Sequence, residues 1–181
     1  MSNKDKGLFK NCGLFWQLED VYFGIPGRGG KKGQLLGQRE TKPKKSPVDF
    51  AKQIGVYALY ADFDLLYVGA VGGGEGNRLL DRIRQHASGD FKGRWNRFSW
   101  FGLRRVLGPG TLSKENAQFH PSRRNVLHHV EGIILQFSEP PLNGQKGRFK
   151  DDLERYTQVR HHDLGLTDRE ILEELMKNKE G

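Results

Sequence analysis

Several things are scarce in this chain of 181 residues, and each scarcity excludes something. There is one cysteine, Cys12, so neither an intramolecular disulfide nor a cysteine-rich zinc site is available. Apolar residues amount to 35%, below the usual 45–50% or so. No run approaches the ~18 consecutive apolar residues that span a bilayer, so no membrane partner is expected. The opening MSNKDKG has no apolar leader, and the expected location is cytoplasmic. Glycines at 69 and 72–76 are not followed by Lys-Ser or Lys-Thr, which rules out a phosphate loop, and they do not match the dinucleotide fingerprint. No serine-centred elbow and no repeat of useful length occurs. The pairs His128-His129 and His161-His162 are adjacent, so on a helix their rings diverge and do not make a metal pair.

Positive charge and aromatic residues are what the chain does have. Thirty Lys+Arg against 22 Asp+Glu give +8, and 3 Trp, 5 Tyr and 11 Phe are enough for a packed core. A basic chain attracts polyanions, so nucleic acid is the first partner expected. The charge is concentrated: residues 1–50 carry ten bases and five acids, and residues 78–105 carry eight and two. Lys31 and Lys32 in the first block, and Arg78, Arg84, Lys92, Arg94, Arg97, Arg104 and Arg105 in the second, are the candidate phosphate contacts.

Periodicity divides the chain. Residues 26–47 are rich in Gly, Lys and Pro and read as a mobile basic loop. IGVYALY and LLYVGAV read as two strands of a hairpin turning around residues 61–64. If their aliphatic alternates share one face, Tyr57 and Tyr67 share the other. A three-residue loop centred on Asp62 would place the two tyrosines opposite one another. NRLLDRIRQHA reads as a helix with Leu79, Leu80, Ile83 and Ala87 inward and Arg78, Arg82 and His86 in a bordering stripe. RFSWFGLRRV reads as a further strand, in which Trp100 and Phe101, with the nearby Trp95, are expected in the core rather than as a stacking platform. Residues 122–137 read as a second helix, with Glu131 at the edge of its buried face, and residues 167–179 as a terminal amphipathic helix behind a capping box.

The expected fold class is α/β (α+β): a small sandwich with a mostly antiparallel central sheet flanked by helices. Its expected divisions are an N-terminal extension over 1–49, a core over 50–147 and a C-terminal helical segment over 148–181.

Six residues form a constellation: Tyr57, Tyr67, Arg82, His86, Glu131 and Asn143. Here the sequence resembles the GIY-YIG endonuclease family. Gly55-Val56-Tyr57 is similar to its first motif and Tyr67-Val68-Gly69 to its second. Arg82 and His86 are similar to its helix, and Glu131 and Asn143 to its later glutamate and asparagine. The gap between the first two motifs is one or two residues short, and Arg78 competes with Arg82 for the arginine position.

The resemblance implies a metal-dependent DNA endonuclease in which Glu131 holds Mg2+ (or Mn2+). Arg82 would bind the scissile phosphate, and Tyr57 would take the proton of the attacking water with His86 assisting. Tyr67 would orient water or phosphate, and Asn143 would hold the site together. Double-stranded DNA is the expected substrate, in a restriction-type or defence role, with a homodimer or sequential nicking as the two routes to cutting both strands. The competing expectations are a non-catalytic nucleic-acid-binding module on the same scaffold and a nuclease acting on RNA.

Overall fold

The structure is a computed structural model, and it describes residues 8–25, 30–41, 46–72, 76–114, 133 and 153–161. Among these residues the chain forms nine strands and one helix. The strands are β1 (Asn11–Gln17), β2 (Tyr22–Gly24), β3 (Lys32–Gln34), β4 (Leu36–Arg39), β5 (Val48–Asp49), β6 (Gly55–Ala61), β7 (Asp64–Val71), β8 (Arg97–Gly102) and β9 (Glu154–Gln158). The helix, α1 (Leu79–Ser88), lies between β7 and β8. The architecture is mixed α/β and is dominated by one large, mostly antiparallel sheet in the order β5-β4-β9-β1-β8-β6-β7, in which β1 and β9 run parallel. A separate two-stranded ribbon pairs β2 with β3. None of the described helical residues forms a span long and apolar enough to cross a membrane.

The β6–β7 hairpin turns in two residues, Asp62 and Phe63, with Asp62 at φ 52°. Asn96 braces the turn by accepting from the Asp62 N–H and donating to its carboxylate, both at 2.7 Å. A two-residue turn alone would send the tyrosines to opposite faces. An irregularity supplies the missing residue: Tyr60 pairs with Leu65 and Leu59 with Tyr67, leaving Leu66 as the bulge. The shared face is therefore as expected, but the register is not. Tyr57 faces Gly69, and Tyr67 lies two residues along the strand, opposite Leu59.

The expected divisions at 49 and 147 do not match the sheet. Strands β1, β4 and β5 come from the supposed extension, and β9 comes from the supposed helical segment. The loop reading of 26–47 is also corrected in part, because β3 and β4 lie within it and Leu35 and Leu36 are buried there. Those two leucines outweigh the surrounding Gly and Lys, since burying them is worth roughly 1.5–3 kcal/mol each.

The sheet has an apolar cluster on each face. On one face Tyr57, Leu59, Phe98 and Trp100 pack with Trp16, Phe50 and the inward residues of α1, Leu79, Leu80 and Ile83. On the other, Ala58, Tyr60 and Phe101 pack with Phe9, Cys12 and Ile133. Trp95, Trp100 and Phe101 are buried, as expected for core aromatics. Apart from Ile133, the segments expected to be helical, 122–137 and 167–179, lie outside the described residues.

Helix α1 starts where the core requires it. The N–H groups of Leu79 and Leu80 donate to the carbonyls of Gln53 and Ala51, which ties the first turn to the segment before β6. Asp81 accepts from the Arg78 backbone N–H at 3.3 Å, a carboxylate in the first turn as the helix dipole favours. At the other end the Trp95 indole donates to the His86 carbonyl at 3.3 Å.

Candidate active site

Strands β6 and β7 and helix α1 bring four of the six sequence-predicted residues into one neighbourhood, on the face of the sheet beneath α1. Tyr57 Oη and His86 Nε2 lie 2.7 Å apart. The Tyr67 ring is 6.1 Å from that of Tyr57 and 5.1 Å from the imidazole, centroid to centroid. Arg82, one turn before His86 on α1, acts on both: its charge lowers the pKa of the phenol and of the imidazole. Glu131 and Asn143 lie outside the described residues.

Two glycines explain why the tyrosines can sit there. A Cβ on Gly69 would lie 2.5 Å from Tyr57 Oη and 2.8 Å from the Tyr67 ring, so the phenol occupies the space a side chain would take. Gly55 has φ 147°, and a Cβ there would collide with the Phe101 carbonyl of the neighbouring strand. Gly69 thus makes room for the Tyr57 ring from across the hairpin, and Gly55 lets β6 approach β8 closely.

The electrostatics set the protonation states. Burial pushes the Tyr57 phenol well above its usual value, the adjacent Tyr67 hydroxyl adds to the rise, and Arg82 offsets it only partly. Burial, followed by the Arg82 charge, holds His86 below its usual value. Near neutral pH the pair is therefore a protonated phenol and a neutral imidazole. Tyr57 is 1% exposed, whereas Tyr67 is 37% exposed. Solvent meets Tyr67 and His86 first, with Tyr57 behind them.

Sequence reasoning missed Phe91. Its ring stacks on His86 at 5.1 Å and 15° and lies 5.3 Å from Tyr67, so the imidazole is held between aromatic neighbours. The signal was weak: one phenylalanine five residues after His86, in a turn with no periodicity.

The nine candidate phosphate contacts do not form one surface. Lys31, Lys32, Arg78, Arg84 and Arg104 line a common groove beside α1. Lys92 and Arg94 are exposed in the turn after α1, next to Phe91. Arg97 lies over the Phe63 ring at 4.8 Å, at the hairpin turn, and Arg105 is exposed beyond β8. Arg104 is largely engaged inside the protein, donating to the carbonyls of Ser113, Lys52 and Leu112.

Among the described residues no group of three His, Cys, Asp or Glu side chains could hold a metal ion. Around Tyr57 the described donors are phenols, an imidazole and a cationic guanidinium, which do not themselves fit a divalent cation. No family model matches the chain, and neither the curated proteins nor the solved structures yield a match.

Proposed function

We propose that the protein is a phosphodiester hydrolase, a DNA endonuclease of the GIY-YIG kind. What carries the reading is the 2.7 Å approach of Tyr57 to His86 beneath α1, flanked by Tyr67 and Arg82. Four residues singled out for phosphodiester chemistry come together, although they belong to three elements.

Hydrolysis needs a water to lose a proton and a phosphate to gain negative charge. With the phenol protonated and the imidazole neutral, Tyr57 is a relay and His86 the final acceptor. The attacking water gives its proton to the Tyr57 oxygen as the Tyr57 O–H proton passes to Nε2. The phenol is left neutral and the imidazole cationic. The Arg82 guanidinium offers a planar fork to the phosphate, and its positive charge grows more favourable as the phosphate oxygens become more negative. Tyr67, partly exposed, would orient water or phosphate. A divalent cation, Mg2+ or Mn2+, would supply neutralisation of the developing charge, and Glu131 is the residue proposed to hold it.

Incubation with supercoiled plasmid and Mg2+ or Mn2+ tests the reading. Wild type should nick or linearise the plasmid, and Tyr57→Phe and Glu131→Ala should each lose about 10²-fold or more. A protein that binds the plasmid and never cuts it, at any pH or with either metal, would overturn the proposal. One observation favours the alternative of a non-catalytic binding module: Tyr57 is nearly sealed from solvent, so water reaches its oxygen only if Tyr67 or His86 moves. In that case Tyr57→Phe leaves DNA affinity unchanged and there is no cleavage to lose.

A further inference from the structure

Helix α1 has a second flank, lined by cationic side chains. A groove of about 890 Å3 lies between the β2–β3 ribbon, the segment before β6 and the first half of α1. Among the described residues six cationic side chains line it, Lys31, Lys32, Lys52, Arg78, Arg84 and Arg104, and the one described acid is Asp81. Asp81 is already engaged by the Arg78 N–H and, at 3.8 Å, by Arg84. Lys31, Lys32 and Lys52 are exposed, and among the described residues none of them pairs with a carboxylate. Arg84 is held in position: it donates to the Phe23 carbonyl at 2.9 Å and lies 6.0 Å from the Phe23 ring centroid. The groove is therefore a concave, preorganised cationic wall with an aromatic ring in it.

Its position relative to the tyrosine site gives the proposal its content. At 3.6 residues per turn, Leu80, Asp81 and Arg84 project to the side of α1 roughly opposite Arg82 and His86. The two flanks are separated by the width of one helix, about 10–12 Å. That is close to the width of the DNA major groove, about 12 Å, which admits a helix with a phosphate strand on either side. The ridge between the flanks carries Gln85, which is exposed.

We propose that this groove binds the sugar-phosphate backbone of the second strand of duplex DNA, with α1 in the major groove and the strand to be cut on the Arg82–His86 flank. Lys31, Lys32 and Lys52 supply the phosphate contacts, and Arg84 fixes the ribbon that carries two of them. The assignment of the cut strand rests on the nuclease reading; the binding groove does not.

The experiment is fluorescence anisotropy of the full chain with labelled 20-base-pair DNA across a salt series, without divalent metal, so cleavage plays no part. Combined Lys31→Ala, Lys32→Ala and Lys52→Ala should weaken duplex binding at least tenfold. The slope of log affinity on log salt should become shallower by about 2–3 for three lost phosphate contacts. Combined replacement of the same lysines by arginine should keep wild-type binding. Lys52→Glu should weaken binding more than Arg155→Glu, the same charge change at an exposed residue of β9. Duplex should bind at least tenfold tighter than a single strand of the same length.

Equal weakening by Lys52→Glu and Arg155→Glu would reduce the groove to net charge and overturn the proposal. So would equal affinity for single strand and duplex. A protein that shows the expected binding pattern and never cuts plasmid would overturn the nuclease reading alone.

Discussion

Strands β6 and β7 are neighbours in one hairpin, yet they have opposite environments. β6 lies between β7 and β8 and is buried along nearly its whole length. β7 ends the order of the described strands, exposed at six of its eight residues, with Leu65, Leu66, Tyr67 and Val68 all open to solvent. The candidate site uses one tyrosine from each. Tyr57 is part of the hydrophobic core and has its geometry fixed by packing; Tyr67 is a surface ring free to meet a substrate. The difference shows how one motif can supply both a rigid and an accessible hydroxyl: they are placed on either side of the boundary between core and edge.

Mutation should reproduce this asymmetry. Tyr57→Ala is expected to cost about 3–5 kcal/mol in urea unfolding, as for other buried aromatics, while Tyr67→Ala costs less than half as much; equal losses would break the comparison. Gly69→Ala should cost about 1–3 kcal/mol, because the added methyl meets the Tyr57 hydroxyl, and this measures how firmly the core holds that ring.

His86 sharpens the contrast through pH. Its folded pKa is lowered, so as pH falls the unfolded chain takes up a proton before the folded one. Stability from this group is fully present above the usual histidine value of ~6.5 and declines as pH drops from there toward the lowered folded value. His86→Gln should flatten the dependence of the urea midpoint over roughly pH 5 to 7.5, and an unchanged profile would place the imidazole in plain solvent. The smallest effect is expected at Val68→Thr, on exposed β7, which should stay within about 0.5 kcal/mol of wild type.

The sequence made β6, β7 and α1 legible because each has a clean period: alternation for the strands, and Leu79, Leu80 and Ile83 for the helix. The shared face of the tyrosines followed from the same alternation. Their register did not, because a bulge at Leu66 leaves no mark in hydrophobic pattern. Strand β9 escaped because Tyr156 is its only buried residue and its polar neighbours read equally well as helix or loop. Strand β4 was obscured by the Gly and Lys around Leu35 and Leu36. Phe91 escaped because ring stacking is a relation between distant positions. The groove beside α1 was legible only as net charge, since nothing in the order of residues says that Lys31 and Arg84 share a wall.

Strand β9 also has a consequence for how the molecule is made. Among the described strands it is what joins β4 to β1, and it comes from residues Glu154–Gln158. While the chain is being synthesised, the β4–β5 pair emerges long before its partner and must wait for over a hundred further residues. A ribosome stalled before Glu154 would hold a nascent chain with two open sheet edges, a state that favours chaperone capture and self-association until the last strand arrives.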